Sequence, residues 1–129
     1  MRNIEMKINN FHQLDVWQKS HELVLDIYNL TNKFPKKERY RLTDQLSRSA
    51  ASIPANIAEG TGRKTLQDYI RFLYNARGSL EETKYHLELA KDLSYLNSNE
   101  YEDLKQQTDQ IGRMLNGLIN SLQEQVDKQ

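Results

Sequence analysis

The segment Glu59-Gly60-Thr61-Gly62-Arg63-Lys64-Thr65 invites a phosphate-loop reading. A Walker loop needs one glycine directly before its Lys-Thr pair and another five residues earlier. Those positions hold Arg63 and Ala58, so the nucleotide-loop reading fails. What survives is a pair of cations beside the start of a helix, where free N–H groups favour anions. The competing reading is a helix-ending loop with solvated charges.

Other chemistry finds less support. A di-metal centre in a helical bundle needs Glu-x-x-His on two helices. The residues three before His12, His21 and His86 are Asn9, Gln18 and Thr83. Each histidine therefore reads as a solvated or half-buried helix residue. There is no cysteine and no Gly-x-Ser-x-Gly elbow. Glu81 and Glu82 are adjacent, and neighbours on a helix point about 100° apart, so they read as surface charge. No catalytic residue, metal site or cofactor is expected.

The charge map says more than its sum. The chain carries 18 basic and 18 acidic residues. Residues 33–91 hold twelve bases against seven acids, whereas 92–129 hold three against seven. Along the third helix, Arg77, Glu81, Lys84, Glu88 and Lys91 alternate in sign at three- and four-residue steps, as a salt-bridged face does. Arg39, Arg41, Arg63, Lys64 and Arg71 have fewer obvious local partners. They are the candidate contacts to RNA or DNA phosphates. Arg41, Arg48, Ser52 and Glu59 form a second polar stripe on the second helix, which suits a subunit interface, an inter-helix network or an ordinary wet face.

Four helices must position these residues. Residues 1–13 show no sustained period and read as a loosely held N-terminal arm. Asp15 is the expected cap of the first helix, with Gln18 completing a capping box. Val16, Leu23, Ile27, Leu30 and Phe34 form its apolar stripe until Pro35 stops it. Leu42, Leu46, Ala50, Ile53 and Ile57 keep a helical period across Pro54, so the second helix is expected to kink there. Thr65 with Asp68, and Asn97 with Glu100, open the third and fourth helices as capping boxes. The fold class is all-α, an antiparallel up-down-up-down four-helix bundle over residues 14–127, with helices at about 15–33, 40–60, 65–95 and 97–126. Ser49-Ala50-Ala51-Ser52 and Ala76 with Gly78-Ser79 are expected to face one another, since small side chains let backbones approach. Gly112 and Gly117 mark a second expected approach.

The bounds are consistent with that picture. A length of 129 residues suits one domain. The absence of cysteine excludes disulfides and thiolate metal sites. No apolar run approaches the roughly 20 residues of a membrane span, and the N-terminus lacks the apolar core of a signal peptide. A cytoplasmic protein without membrane contact is expected.

Leu14-Asp15-Val16-Trp17-Gln18-Lys19-Ser20, then Ser49 through Gly60 with Ile53-Pro54-Ala55-Asn56-Ile57-Ala58-Glu59-Gly60 at its core, and Ala76-Arg77-Gly78-Ser79-Leu80-Glu81-Glu82 carry a resemblance. They resemble the bacterial four helix bundle proteins, also called 23S rRNA intervening-sequence proteins, over about residues 12–122. The chain is more distantly similar to the accessory variability protein of diversity-generating retroelements. The resemblance implies a four-helix bundle, a ring-like homopentamer, and no established catalytic residues. The retroelement relative implies nucleic-acid and protein partners, although it is markedly basic and this chain is neutral. Trp17, Pro54, Asn56, Glu59, Gly60, Arg77 and Glu81 match as a motif, either structural or partner-binding. Two functions stand open: a nucleic-acid-associated adaptor, or a protein–protein scaffold whose oligomer interface includes Arg48 and Ser52.

Overall fold

The structure, a computed structural model, describes residues 10–129. Four helices follow one another: α1 (Asp15–Thr31), α2 (Leu42–Thr61), α3 (Leu66–Asp92) and α4 (Ser98–Asp127). Single 3-10 turns precede α1 at Phe11–Gln13 and join α1 to α2 at Lys36–Glu38. Most of the arm lies outside the described residues. Its last four form the turn, in which the Asn10 side chain accepts from the His12 N–H.

Each helix buries one apolar stripe, and the stripes meet in a single core. Leu23, Ile27, Leu46, Ile53, Ile57, Leu73, Leu80, Leu87, Leu104, Ile111 and Leu115 are almost wholly buried. Every helix packs on its neighbour in sequence, and α1 also packs on α4. The diagonals are therefore α1–α3 and α2–α4. Polar pairs set the registers. Ser49 and Ser52 meet Thr83 and Ser79 across α2–α3. Arg77 and Lys84 meet Asn116 and Asp109 across α3–α4. Asp26 and Lys33 meet Gln107 and Glu100 across α1–α4. In each of these three pairs the numbering rises on one helix as it falls on the other.

The helix ends differ from the sequence expectation in instructive ways. The α4 capping box forms in full: Asn97 accepts from the Glu100 N–H at 2.8 Å and Glu100 from the Asn97 N–H at 3.0 Å. At α3 only half of the box exists. Thr65 accepts from the Asp68 N–H at 3.1 Å, but the Asp68 carboxylate turns to Arg63 and Arg71 instead. Two guanidinium groups outcompete one backbone donor because charge-assisted bonds are stronger. Asp15 does not cap α1 either. It is the first helical residue, Leu14 occupies the cap position without a side-chain bond, and Gln18 donates to the His12 carbonyl. Its negative charge still suits a helix start.

The small-residue interface between α2 and α3 is present, with one correction. Ala50 and Ala76 are fully buried, and the facing hydroxyls bond across the seam. Gly78 is not in that seam: a Cβ added there meets nothing within 4 Å. Gly117 is equally open, and Gly112 meets only Leu80 at an ordinary 3.5 Å. The close approach belongs to Gly60, where an added Cβ would lie 2.8 Å from the Tyr69 ring and 3.1 Å from Phe72 Cβ. Gly60 reads in sequence as a helix terminator, yet it is a buried residue inside the last turn of α2.

Candidate nucleic-acid interface and the α2–α3 network

The five candidate cations fall into two groups. Arg39 and Arg41 lie in the connection that leads into α2, and Arg63, Lys64 and Arg71 surround the α2–α3 turn. The 20 residues of α2 separate these ends by about 30 Å. A single chain does not bring all five together.

At the α2–α3 turn, α3 begins where α2 stops, which holds Arg63 and Lys64 beside the first turn of α3. Arg63 Nε donates to Asp68 at 2.6 Å, and Arg71 Nη2 reaches the same carboxylate at 2.8 Å. Both guanidinium groups lie over the Phe72 ring, at 4.9 and 4.5 Å from its centroid. Asp68 and Phe72 thus act as a template for two cations. Two exposed arginines would otherwise repel and roam. Here a shared carboxylate and a shared aromatic ring hold them. Hydrogen bonds from Arg63 and then Arg71 hold the Asp68 carboxyl below its usual range. Lys64 is exposed and makes no ion pair among the described residues. Gly62, Thr65 and Gln67 complete a shallow depression of about 640 Å³ between these side chains. Three cations against one carboxylate leave the depression positive.

At the other end, Arg39 lies 5.2 Å over the Tyr40 ring, and Tyr40 is 81% exposed. Arg41 immediately precedes α2 and is exposed. These are again a guanidinium on an aromatic face.

The motif residues have structural partners. Asn56 Nδ2 donates to the Ser52 carbonyl at 2.8 Å and to Ser52 Oγ at 3.0 Å. Ser79 Oγ donates to the same Ser52 hydroxyl at 3.0 Å. One turn away, Thr83 Oγ1 lies 2.8 Å from the Ser79 carbonyl and 3.0 Å from Ser49 Oγ. Pro54 is buried inside α2, where its missing N–H withdraws one backbone bond. The hydroxyl network adds polar bonds across the α2–α3 seam. Arg48 pairs with Asp44 at 3.3 Å and Glu81 with Lys84 at 3.3 Å, both on exposed surface. Arg77 stacks on Tyr74 at 4.6 Å and donates to Asn116 of α4. Glu59 is exposed. Trp17 is half-buried between Phe11, His12 and His21, with ring centroids 5.0–5.1 Å away. It fastens the turn before α1 to α1 itself.

Among the described residues no group of three His, Asp or Glu side chains is placed to hold a metal, and no helix is long and apolar enough to cross a membrane. His86 departs from its expected half-wet position. It is buried, with Nε2 3.2 Å from Glu82 and Nδ1 without a partner among the described residues. Tyr40, Tyr74 and Tyr85 are exposed rings that apolar periodicity does not single out.

None of the curated protein sequences matches the chain. A solved structure does: a protein of unknown function from the S23 ribosomal protein family of Bacteroides thetaiotaomicron. It is 29% identical, with a TM-score of 0.73, over 81% of this chain and 97% of that one. The sequence model described as 23S rRNA-intervening sequence protein matches residues 12–117. That match spans all of α1, α2 and α3 and most of α4, and with it the chain belongs to the 23S rRNA-intervening sequence protein family.

Proposed function

We propose that the protein is a non-catalytic, self-associating helical adaptor that contacts nucleic acid through the α2–α3 turn. The observation that carries this reading is the pair of guanidinium groups, Arg63 and Arg71, stacked on Phe72 and held by Asp68 beside unpaired Lys64. Such an arrangement fixes donors in advance, so less side-chain freedom is lost on meeting a phosphate. The Arg39–Tyr40 pair supplies a second, separate contact. Self-association brings copies of both contacts together, which a single chain does not.

Fluorescence anisotropy with structured RNA, single-stranded RNA and duplex DNA tests the reading. Binding at about 50 mM salt that weakens steeply with added salt supports it. Replacing Arg63 and Lys64 by Ala should flatten the log–log salt slope by about 0.9 per lost duplex contact, or about 0.7 for single strands. No binding to any of the three overturns it.

A protein–protein scaffold is favoured by a different observation. Leu25 and Tyr28 are 56% and 53% exposed on the outer face of α1. Assembly that survives high salt, without nucleic-acid binding, is its outcome.

A further inference from the structure

Tyr74 keeps part of its ring in water in the middle of a row of arginines on α3. The residue is 46% exposed. At 100° per residue, Arg71 and Arg77 stand one turn before and one turn after it, about 60° to either side. Their guanidinium groups treat the ring differently. Arg77 lies over it, 4.6 Å from the centroid, and is held there by donating to Asn116 of α4 at 3.0 Å. Arg71 leans away, to Asp68 and the Phe72 ring. The ring therefore has a fixed cation toward α4 and no such cover on its Arg71 side.

Gly78 keeps that side clear. It follows Tyr74 by four residues, about 40° round the helix toward Arg71. Helical side chains lean toward the N-terminus, so each covers the turn before its own Cα. A side chain at position 78 would lie over Tyr74. Gly78 is exposed, and a Cβ added there meets nothing within 4 Å. No contact within the chain calls for glycine in the middle of the 27-residue α3, where it is the least helix-favouring residue after proline.

An aromatic ring backed by a cation and open on its other side is a platform for a planar group. The cations of the α2–α3 turn lie on the same helix face. From Lys64 to Tyr74 is about 15 Å along α3, with Arg71 between them. Among the described residues only Asp68 pairs with Arg63 and Arg71. Glu59 of α2 and Glu124 and Asp127 of α4, the acids of the adjoining helix ends, form no ion pair with them. The row thus offers charge to a phosphate backbone and a ring to a base. In a duplex the base faces are stacked on one another, whereas in a single strand they are free to stack on a protein ring.

We propose that Tyr74 is a stacking platform for a base of single-stranded RNA or DNA whose phosphates run along Arg63, Lys64 and Arg71. It rests on the reading of the α2–α3 turn as a nucleic-acid contact and names the form of nucleic acid that the turn takes. The base enters from the Gly78 side while Arg77 backs the ring. The platform lies within one chain, so a ring of several copies repeats it.

Fluorescence anisotropy at about 50 mM salt tests this with a single-stranded RNA, a single-stranded DNA of the same sequence, an abasic strand of the same length and a DNA duplex. Wild type should bind a base-bearing strand at least about fivefold more tightly than the abasic one, the low end for one base on an aromatic ring. A margin on either strand supports the platform, and the larger one identifies the strand. Tyr74→Ala should remove the margin and leave the duplex affinity and salt slope unchanged, since no phosphate contact is lost. Tyr74→Trp should keep it. Gly78→Gln has room within its own chain, so its circular dichroism should stay helical, and by covering the ring it should reduce the margin. If the abasic strand binds as well as the others, or Tyr74→Ala or Gly78→Gln keeps the margin, the platform is overturned while salt-sensitive binding leaves the α2–α3 contact standing. A fall in light-scattering mass on Tyr74→Ala assigns the ring to a subunit contact and overturns the platform too. A wild type that binds no strand and no duplex overturns both.

Discussion

The Tyr95 hydroxyl donates to the Glu38 carboxylate at 2.7 Å, joining residues 57 apart in sequence. Glu38 also accepts from the Leu42 N–H at the start of α2, at 3.4 Å, and Phe34 packs on the Tyr95 ring at 5.4 Å. The α1–α2 connection, the source of Arg39 and Arg41, is thereby tied to the end of α3. Lys33 pairs with Glu100 of α4 at the same end.

This bond gives a pH dependence with a definite sign. The hydrogen bond from Tyr95 holds the Glu38 carboxyl below its ordinary value, and the same bond to Glu38 raises the Tyr95 phenol. A lowered acid contributes stability above its unfolded pKa, about 4.3 for Glu, and loses it as pH falls through the folded value. A raised phenol contributes below its unfolded pKa of about 10 and loses it as pH rises through the folded value. Tyr95→Phe should therefore melt below wild type at neutral pH, and the gap should narrow at both extremes. Thermal melts across pH check this; an equal gap at every pH counts against it.

Two glycines should respond to alanine with opposite signs. Gly60→Ala places a methyl 2.8 Å from the Tyr69 ring and 3.1 Å from Phe72 Cβ, and Tyr69 is 1% exposed with no room to retreat. Overpacking of this kind costs about 1–3 kcal/mol. Gly117→Ala meets nothing and should stabilise α4 by up to about 1 kcal/mol through helix propensity alone. Urea unfolding of both variants decides the matter, and a stabilised Gly60→Ala would show that the seam can relax.

The difference between these glycines marks how far sequence reading reaches. Apolar periodicity is a property of one helix at a time, so Leu23, Ile53, Leu80 and Ile111 were legible as core without knowledge of any partner. Caps are equally local: Asn97 with Glu100 is complete within four residues. Asp68 shows the limit. Its spacing from Thr65 spelled a capping box, but Arg63 and Arg71 compete for the same carboxylate, and the winner depends on three-dimensional reach. Gly60 reads as a helix terminator and Gly78 as a seam residue, and only the neighbouring helix shows that the tight approach is at Gly60 and the open face at Gly78. The two cation groups could not be separated either, because the length of α2 acts through space.

Ser94 follows α3 with φ 66°, a left-handed conformation unusual for a side chain with a Cβ. The turn is closed by Tyr95 N–H to the Ala90 carbonyl and Ser94 N–H to the Lys91 carbonyl, both at 2.9 Å, the pattern that normally selects glycine. Ser94→Gly should stabilise the fold by about 1 kcal/mol, the cost of that conformation for a non-glycine residue. The melting temperature should rise by a few degrees. An unchanged or lower value would mean that the serine side chain itself supports the turn.

Asp68 sets two properties against each other. Its carboxylate orders Arg63 and Arg71 but also cancels one of their charges. Asp68→Asn keeps the N–H that Thr65 caps and removes the anion. The fold should weaken, because a negative charge in the first turn of α3 and two ion pairs are lost. Nucleic-acid affinity at low salt should rise as the depression gains a full positive charge, and the salt slope should steepen by up to about 0.9 for each guanidinium released to a duplex phosphate. If the template matters more than the charge, affinity falls instead, because the freed arginines lose their preset geometry. Anisotropy at several salt concentrations separates the two: a steeper slope with tighter binding marks Asp68 as a brake, and a flatter slope with weaker binding marks it as part of the contact surface. An affinity and slope both unchanged would remove the α2–α3 turn from the interface altogether.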